Sequence, residues 1–141
     1  MRYLGLDLGS KTLGVAVSDK MGLIASNYCT LRHDEDYSYL VEETKKLVEK
    51  LEIDAIVLGF PKNMNNTIGD KGELSLRFQK ELEKMLSIPI FLQDERLTTK
   101  IANDMLIKGN VSRKNRKKVV GSVAATVILQ SYLDRSEKNE R

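Results

Sequence analysis

Apolar residues occur along the chain in two forms, short continuous runs and stripes at helical spacing, and the two forms alternate. Tyr3-Leu4-Gly5-Leu6-Asp7-Leu8 is an apolar run broken by one carboxylate, and Gly9-Ser10-Lys11 ends it with a turn signal. Gly14 to Ser18 reads as a second strand after a tight turn, and Leu23 to Leu31, bounded by Met21-Gly22, as a third. Three sequential strands predict an antiparallel meander. Leu40, Thr44, Leu47, Val48 and Leu51 then recur at helical spacing, with Asp34-Glu35-Asp36 placed where acids favour a helix N-terminus. Ala55-Ile56-Val57-Leu58 has the continuous apolar character of a strand covered on both faces, closed by Gly59-Phe60-Pro61 and followed by a polar loop through Asn63, Asn65, Asn66 and Gly69.

Leu74, Phe78, Leu82, Met85 and Leu86 mark a second helix, and Ile88 to Leu92 a fifth short strand closed by Asp94-Glu95. Leu97, Ile101 and Met105 predict a third helix, and Val119 to Leu133 a last, mostly apolar one. The order is β-β-β-α-β-α-β-α-α. Strands four and five are each reached through a helix, so right-handed crossovers set them parallel beside the meander. The expected architecture is α/β: a mixed five-stranded sheet with helices on its faces, in a single domain over 1–134 with a polar tail over 135–141.

Composition narrows the chemistry. At 141 residues, 41% apolar and 30% charged, the chain is long enough for one core without disulfide or metal staples. No apolar run approaches the roughly 20 residues of a membrane span, and the N-terminus lacks a signal-peptide layout, so the expectation is a cytoplasmic protein with no membrane partner. Cys29 is the only cysteine and His33 the only histidine, which removes a Cys/His zinc site and a Ser-His-Asp triad. Both residues read as structural. Any catalysis must run on carboxylates, hydroxyls or lysines.

The net charge of +3 is unevenly spread, because residues 108–118 hold six Lys or Arg and no acid. Removing those six from 23 leaves 17 cations against 20 acids, so one segment carries the whole positive excess. Such a segment is either a solvated loop or a phosphate-contacting patch. Asp7 is a second oddity, because a carboxylate inside an apolar strand costs several kcal/mol, roughly, unless it is paired or bound to a metal. Glu95 ends a different strand, and neighbouring strand ends are where open α/β sheets gather site residues. Two such acids suit a hard cation with oxygen ligands.

Asp7 to Gly14 resembles the phosphate turn of the actin and sugar-kinase ATPase superfamily, but those enzymes need two domains around a cleft. The compact ribonuclease H-like fold fits the length and carries a metal-binding Asp on the same first strand. A specific resemblance rests on Gly5-Leu6-Asp7-Leu8-Gly9-Ser10-Lys11-Thr12, Gly59-Phe60-Pro61-Lys62-Asn63-Met64-Asn65 and Asp94-Glu95-Arg96-Leu97-Thr98-Thr99. A last block runs Arg116-Lys117-Lys118-Val119-Val120-Gly121-Ser122-Val123-Ala124-Ala125, followed by Ile128 to Leu133. Together these resemble the YqgF/RuvX family, small bacterial proteins of ribonuclease H-like fold described as Holliday junction resolvases and as nucleases maturing the 5′ end of pre-16S rRNA.

The resemblance implies metal-assisted phosphodiester hydrolysis, with Asp7 and Glu95 as ligands of Mg²⁺ or Mn²⁺ and water as nucleophile. The substrate would be branched DNA or precursor rRNA, and the oligomer a monomer or a homodimer. Arg113, Arg116, Lys117 and Lys118 precede the block's helix and are read as phosphate contacts, with Lys11, Lys62, Asn63 and Arg96 as further nucleic-acid-binding candidates. The chain departs from the family pattern at Gly121, where a third Asp is expected. Two divalent ions about 3.5–4 Å apart repel and need clustered carboxylates, so this change weakens at least one metal site.

Substitutes for that acid are poor. Asp134 lies thirteen residues along the same predicted helix, roughly 20 Å away. Asp94 points to the face opposite Glu95 while the strand continues. Ser122 offers a neutral oxygen, and Asp70 or Glu73 would need the polar loop folded inward. The alternative reading is therefore a nucleic-acid-binding protein that keeps the fold without cutting.

Overall fold

Alternation on the first strand decides the layers. In the computed structural model, which describes residues 1–61, 69–94 and 123–135, β1 (Tyr3–Leu8) buries Leu4 and Leu6 on one face and turns Tyr3, Gly5 and Asp7 to the other. β2 (Thr12–Ser18) and β3 (Ala25–Arg32) complete the antiparallel meander, and α1 (Tyr37–Leu51), β4 (Ala55–Phe60), α2 (Asp70–Met85) and β5 (Ile90–Asp94) follow. A further helix, α3, covers residues 123–135. Strand order is β3-β2-β1-β4-β5, with β1 antiparallel to β2 and parallel to β4, and β4 parallel to β5. The mixed five-stranded sheet read from the sequence is the one observed.

Two cores sandwich this sheet. Leu4, Leu6, Leu13, Val15, Ile56 and Leu58 pack under Leu40, Val41 and Val48 of α1 and Phe78 and Leu82 of α2. On the opposite face Ala16 and Val57 meet Ala125, Ile128, Leu129 and Leu133 of α3. β4 is buried at every position because both cores use it, which is why its sequence shows no alternation. α1 carries the predicted stripe and is capped by Asp36, whose side chain accepts from the Tyr39 amide at 3.1 Å.

Several boundaries differ from expectation for local reasons. β3 starts at Ala25, since the Asp19 carboxylate takes the amides of Leu23 (2.8 Å), Ile24 (2.9 Å) and Met21 (3.3 Å) and holds them in the β2–β3 loop. β5 starts at Ile90, because Pro89 has no N–H to pair, although its carbonyl still accepts from Ile56 at 3.0 Å. α2 begins at Asp70, four residues before the first apolar position of the stripe. Arg135, the first residue of the predicted tail, belongs to α3, while the predicted helix around Leu97 to Met105, the basic segment and residues 136–141 lie outside the described residues. No helix among the described residues is long and apolar enough to cross a membrane.

The Asp19 loop yields a pH prediction. Hydrogen bonds from Ile24, then Leu23 and Met21, hold this carboxyl below the usual aspartate value of about 3.9. A depressed folded value means the contribution is present above the unfolded value and is lost as pH falls through the folded one. In urea unfolding, the parent should have the higher midpoint than Asp19→Asn at pH 7, and the gap should close once the carboxyl is protonated.

Candidate metal and phosphate site at the end of the first strand

β1 leaves the sheet through a turn tight enough for the Gly9 amide to reach the Thr12 carbonyl at 2.7 Å, and this turn sets the end of the strand where Asp7 stands. Asp7 pairs with Gly14 on β2, which pairs in turn with Thr30 on β3. On the other side the β1–β4 ladder runs to Leu6 opposite Leu58, so Gly59 is the next β4 residue beside Asp7, and Gly59 pairs with Gln93 on β5. Glycine therefore flanks Asp7 on both neighbouring strands. No side chain from either strand competes for the carboxylate in its own row. Asp7 is half-buried, a correction to the fully apolar surroundings expected from the sequence: its strand is enclosed at Leu4 to Leu6 and opens towards the turn.

α3 lies over the rows below. Tyr132 lies tilted against Tyr3 (ring centroids 5.8 Å apart), and Ala125 and Leu129 lie against Gly5. The helix thus runs antiparallel to β1 and brings its Val123 end towards Asp7. Close approach is possible because the sheet offers Gly5 and Ala16 there and the helix offers Ala125. At the far end Gln130 fastens α3 to the β2–β3 loop, accepting from the Ala25 amide at 2.8 Å and donating to the Leu23 carbonyl at 3.0 Å.

Of the predicted site residues, Asp7 stands at the strand end and Lys11 is exposed on the adjoining turn. Glu95, Lys62, Asn63, Arg96, Arg113, Arg116, Lys117, Lys118 and Gly121 lie outside the described residues. Asp94 pairs with Phe60 and so takes the α1/α2 face, away from Asp7. Asp70 and Glu73 are exposed on the first turn of α2, beside the polar segment, where acids complement the helix N-terminus. Asp134 is in the last turn of α3, bonded to Gln130 at 2.9 Å, at the helix end remote from Asp7. Among the described residues no three His, Cys, Asp or Glu gather into a metal-sized group. As a donor set this part of the site supplies one hard carboxylate oxygen ligand, which suits Mg²⁺ or Mn²⁺ and leaves further ligands to be supplied.

Sequence reasoning missed three contributors. Gly14 and Gly59 became neighbours of Asp7 only once strand register was known. His33 is 4% exposed, and its Nε2 lies 3.1 Å from the Gly9 carbonyl, a contact for which the sequence held no signal. Cys29 keeps its structural reading, since burial pushes its thiol up and holds it protonated at neutral pH.

These features define a class before they define a protein. The fold matches RuvC of Thermus thermophilus, solved in complex with a Holliday junction substrate, with a TM-score of 0.68 at 13% identity over 99% of this chain and 96% of that one. A second Thermus thermophilus RuvC structure gives a TM-score of 0.58 over 97% of each chain. The architecture is ribonuclease H-like. Among sequences, the chain is 53% identical to "Putative pre-16S rRNA nuclease" of Geobacillus sp. (strain WCH70) and to the protein of that name in Bacillus subtilis (strain 168). Each match spans 135 residues, 95% of this chain and 98% of the relative. The family model described as RuvX, Holliday junction resolvase, matches residues 1–135, and the chain belongs to the RuvX family.

Proposed function

We propose that this protein is a metal-dependent nuclease that hydrolyses phosphodiester bonds in nucleic acid, with Asp7 and Glu95 holding Mg²⁺ or Mn²⁺. The observation that carries the reading is Asp7 itself: a half-buried carboxylate at the end of the central strand, flanked by glycine on both neighbouring strands and approached by the Val123 end of α3. Strand parity supports its partner. Phe91, which stacks on Tyr132, and Gln93 take the α3 face that Asp7 shares, and Glu95 lies two positions after Gln93 in the sequence.

When bound, the ion lowers the pKa of a coordinated water and offsets charge developing on the phosphate. The chain's own residues do the rest. Asp7 fixes the ion relative to the sheet, Lys11 on the turn meets an incoming phosphate, and Arg113, Arg116, Lys117 and Lys118 draw the backbone in through salt-sensitive, sequence-independent contacts. Lys62, Asn63 and Arg96, which follow β4 and β5 in the sequence, add further contacts. The names of the near relatives favour precursor 16S rRNA as substrate, with branched DNA as the second candidate, and the proposed place of action is the cytoplasm.

Gly121 bears on how well the site works, since it stands where the family pattern has an acid and two residues before the first residue of α3. Restoring the carboxylate with Gly121→Asp should raise cleavage of a precursor rRNA 5′ fragment or a four-way junction in Mn²⁺. About 10–100-fold is expected, the scale on which metal sites respond to lost supporting groups. Salt-sensitive binding without cutting in both proteins would support the rival reading, a binding protein of the same fold.

A further inference from the structure

We propose that His33 is a positioning residue of this site, fixing the β1–β2 turn so that the Ser10 amide faces a phosphate oxygen of the nucleic acid. What the turn binds rests on the function proposed above; the clamp itself stands on geometry. The His33 ring is committed at both nitrogens. Nδ1 accepts from the Glu35 amide at 3.1 Å, so the ring proton resides on Nε2, which donates to the Gly9 carbonyl at 3.1 Å. The His33 backbone amide donates to the Lys11 carbonyl at 2.9 Å. One residue therefore grips the turn on either side of Ser10.

Peptide planarity converts this grip into aim. In a trans peptide the N–H points opposite the preceding carbonyl, so holding the Gly9 carbonyl on His33 directs the Ser10 N–H the other way. The His33 ring lies 5.4 Å from that of Tyr37, the first residue of α1, and α1 packs on the sheet face opposite α3. The Gly9 carbonyl is thus drawn towards α1, and the Ser10 N–H points away from it, towards the side that Asp7 and α3 share. Ser10 is exposed, and its amide has no hydrogen-bond partner among the described residues. Glu35, which braces the ring, holds a left-handed backbone at φ 63°, a conformation uncommon for a residue other than glycine.

Two substitutions separate aiming from mere anchoring. In His33→Gln the amide nitrogen occupies the place of Nε2 and still donates to Gly9. In His33→Asn the side-chain oxygen occupies the place of Nδ1 and keeps only the Glu35 bond. Both full-length variants would be titrated with inorganic phosphate, and with a precursor rRNA fragment in EDTA, following the Ser10 amide by ¹⁵N–¹H correlation spectroscopy alongside thermal unfolding.

The expected result is a Ser10 shift in the parent and in His33→Gln. In His33→Asn the shift is lost and binding is weaker by about tenfold, the scale of one hydrogen bond to a charged oxygen. A Ser10 amide unmoved in the parent overturns the proposal, as does equal binding by the two variants at matched stability. Should His33→Asn fail to fold, a Ser10 shift and parental binding in His33→Gln support the proposal and their loss overturns it. A parent that shows the Ser10 shift but never cuts in Mn²⁺ refutes the nuclease reading and leaves this one standing.

Discussion

Asp7→Asn is expected to abolish Mn²⁺-dependent cleavage, with a fall of at least about 10²-fold, since even groups that only support metal ligands cost on that order. The substitution keeps the size of the side chain and the β1 ladder to Gly14, and it falls at a half-exposed position. The unfolding midpoint should therefore stay within a few degrees of the parent, and salt-sensitive binding of nucleic acid should persist. Calorimetric titration with Mn²⁺ separates the rival explanations. Loss of heat in the variant marks Asp7 as a ligand. Unchanged metal uptake with a sharply lowered midpoint marks it as one half of a structural ion pair.

The largest effect on stability is expected at Gly5. A Cβ built there would lie 2.7 Å from the Leu129 Cβ and 3.1 Å from the Ala125 carbonyl oxygen. Neither atom is the far end of a flexible side chain, so Gly5→Ala must push α3 off the sheet. Overpacking of this kind costs about 1–3 kcal/mol, which corresponds to a fall in Tm of roughly 3–12 °C for a chain of this size. Because α3 runs from Gly5 towards the Asp7 row, activity at a temperature where the variant is fully folded should drop as well. Differential scanning calorimetry and a cleavage assay on the same preparation test both halves. An unchanged midpoint would mean that the helix does not seat on this strand as described.

Much of the architecture was legible because the layers impose different periods on the sequence. β1 was read to the residue, and the α1 stripe from Leu40 to Val48 is the buried face observed. The unbroken apolar run of β4 correctly announced cover on both sides. Boundaries failed where a side chain or a ring decided them: the Asp19 carboxylate at the start of β3, and Pro89 before β5. The site was half legible. Asp7 stands out as a charge in an apolar run, whereas its glycine neighbours depend on register across three strands and His33 on a turn closing in space. Such information is non-local, and no period in the sequence encodes it.

Among the described residues the last strand ends at residue 94, yet the helix covering the second face of the sheet spans residues 123–135. On the ribosome, at about 5–20 residues per second, Ala16, Val57 and Phe91 wait some seconds for that cover. During those seconds the nascent chain presents an apolar sheet surface without α3 over it, an attractive target for holdase chaperones and for neighbouring unfinished chains. Translation stalled inside the intervening stretch would prolong that exposure, making this protein's solubility unusually sensitive to codon choice downstream of Asp94.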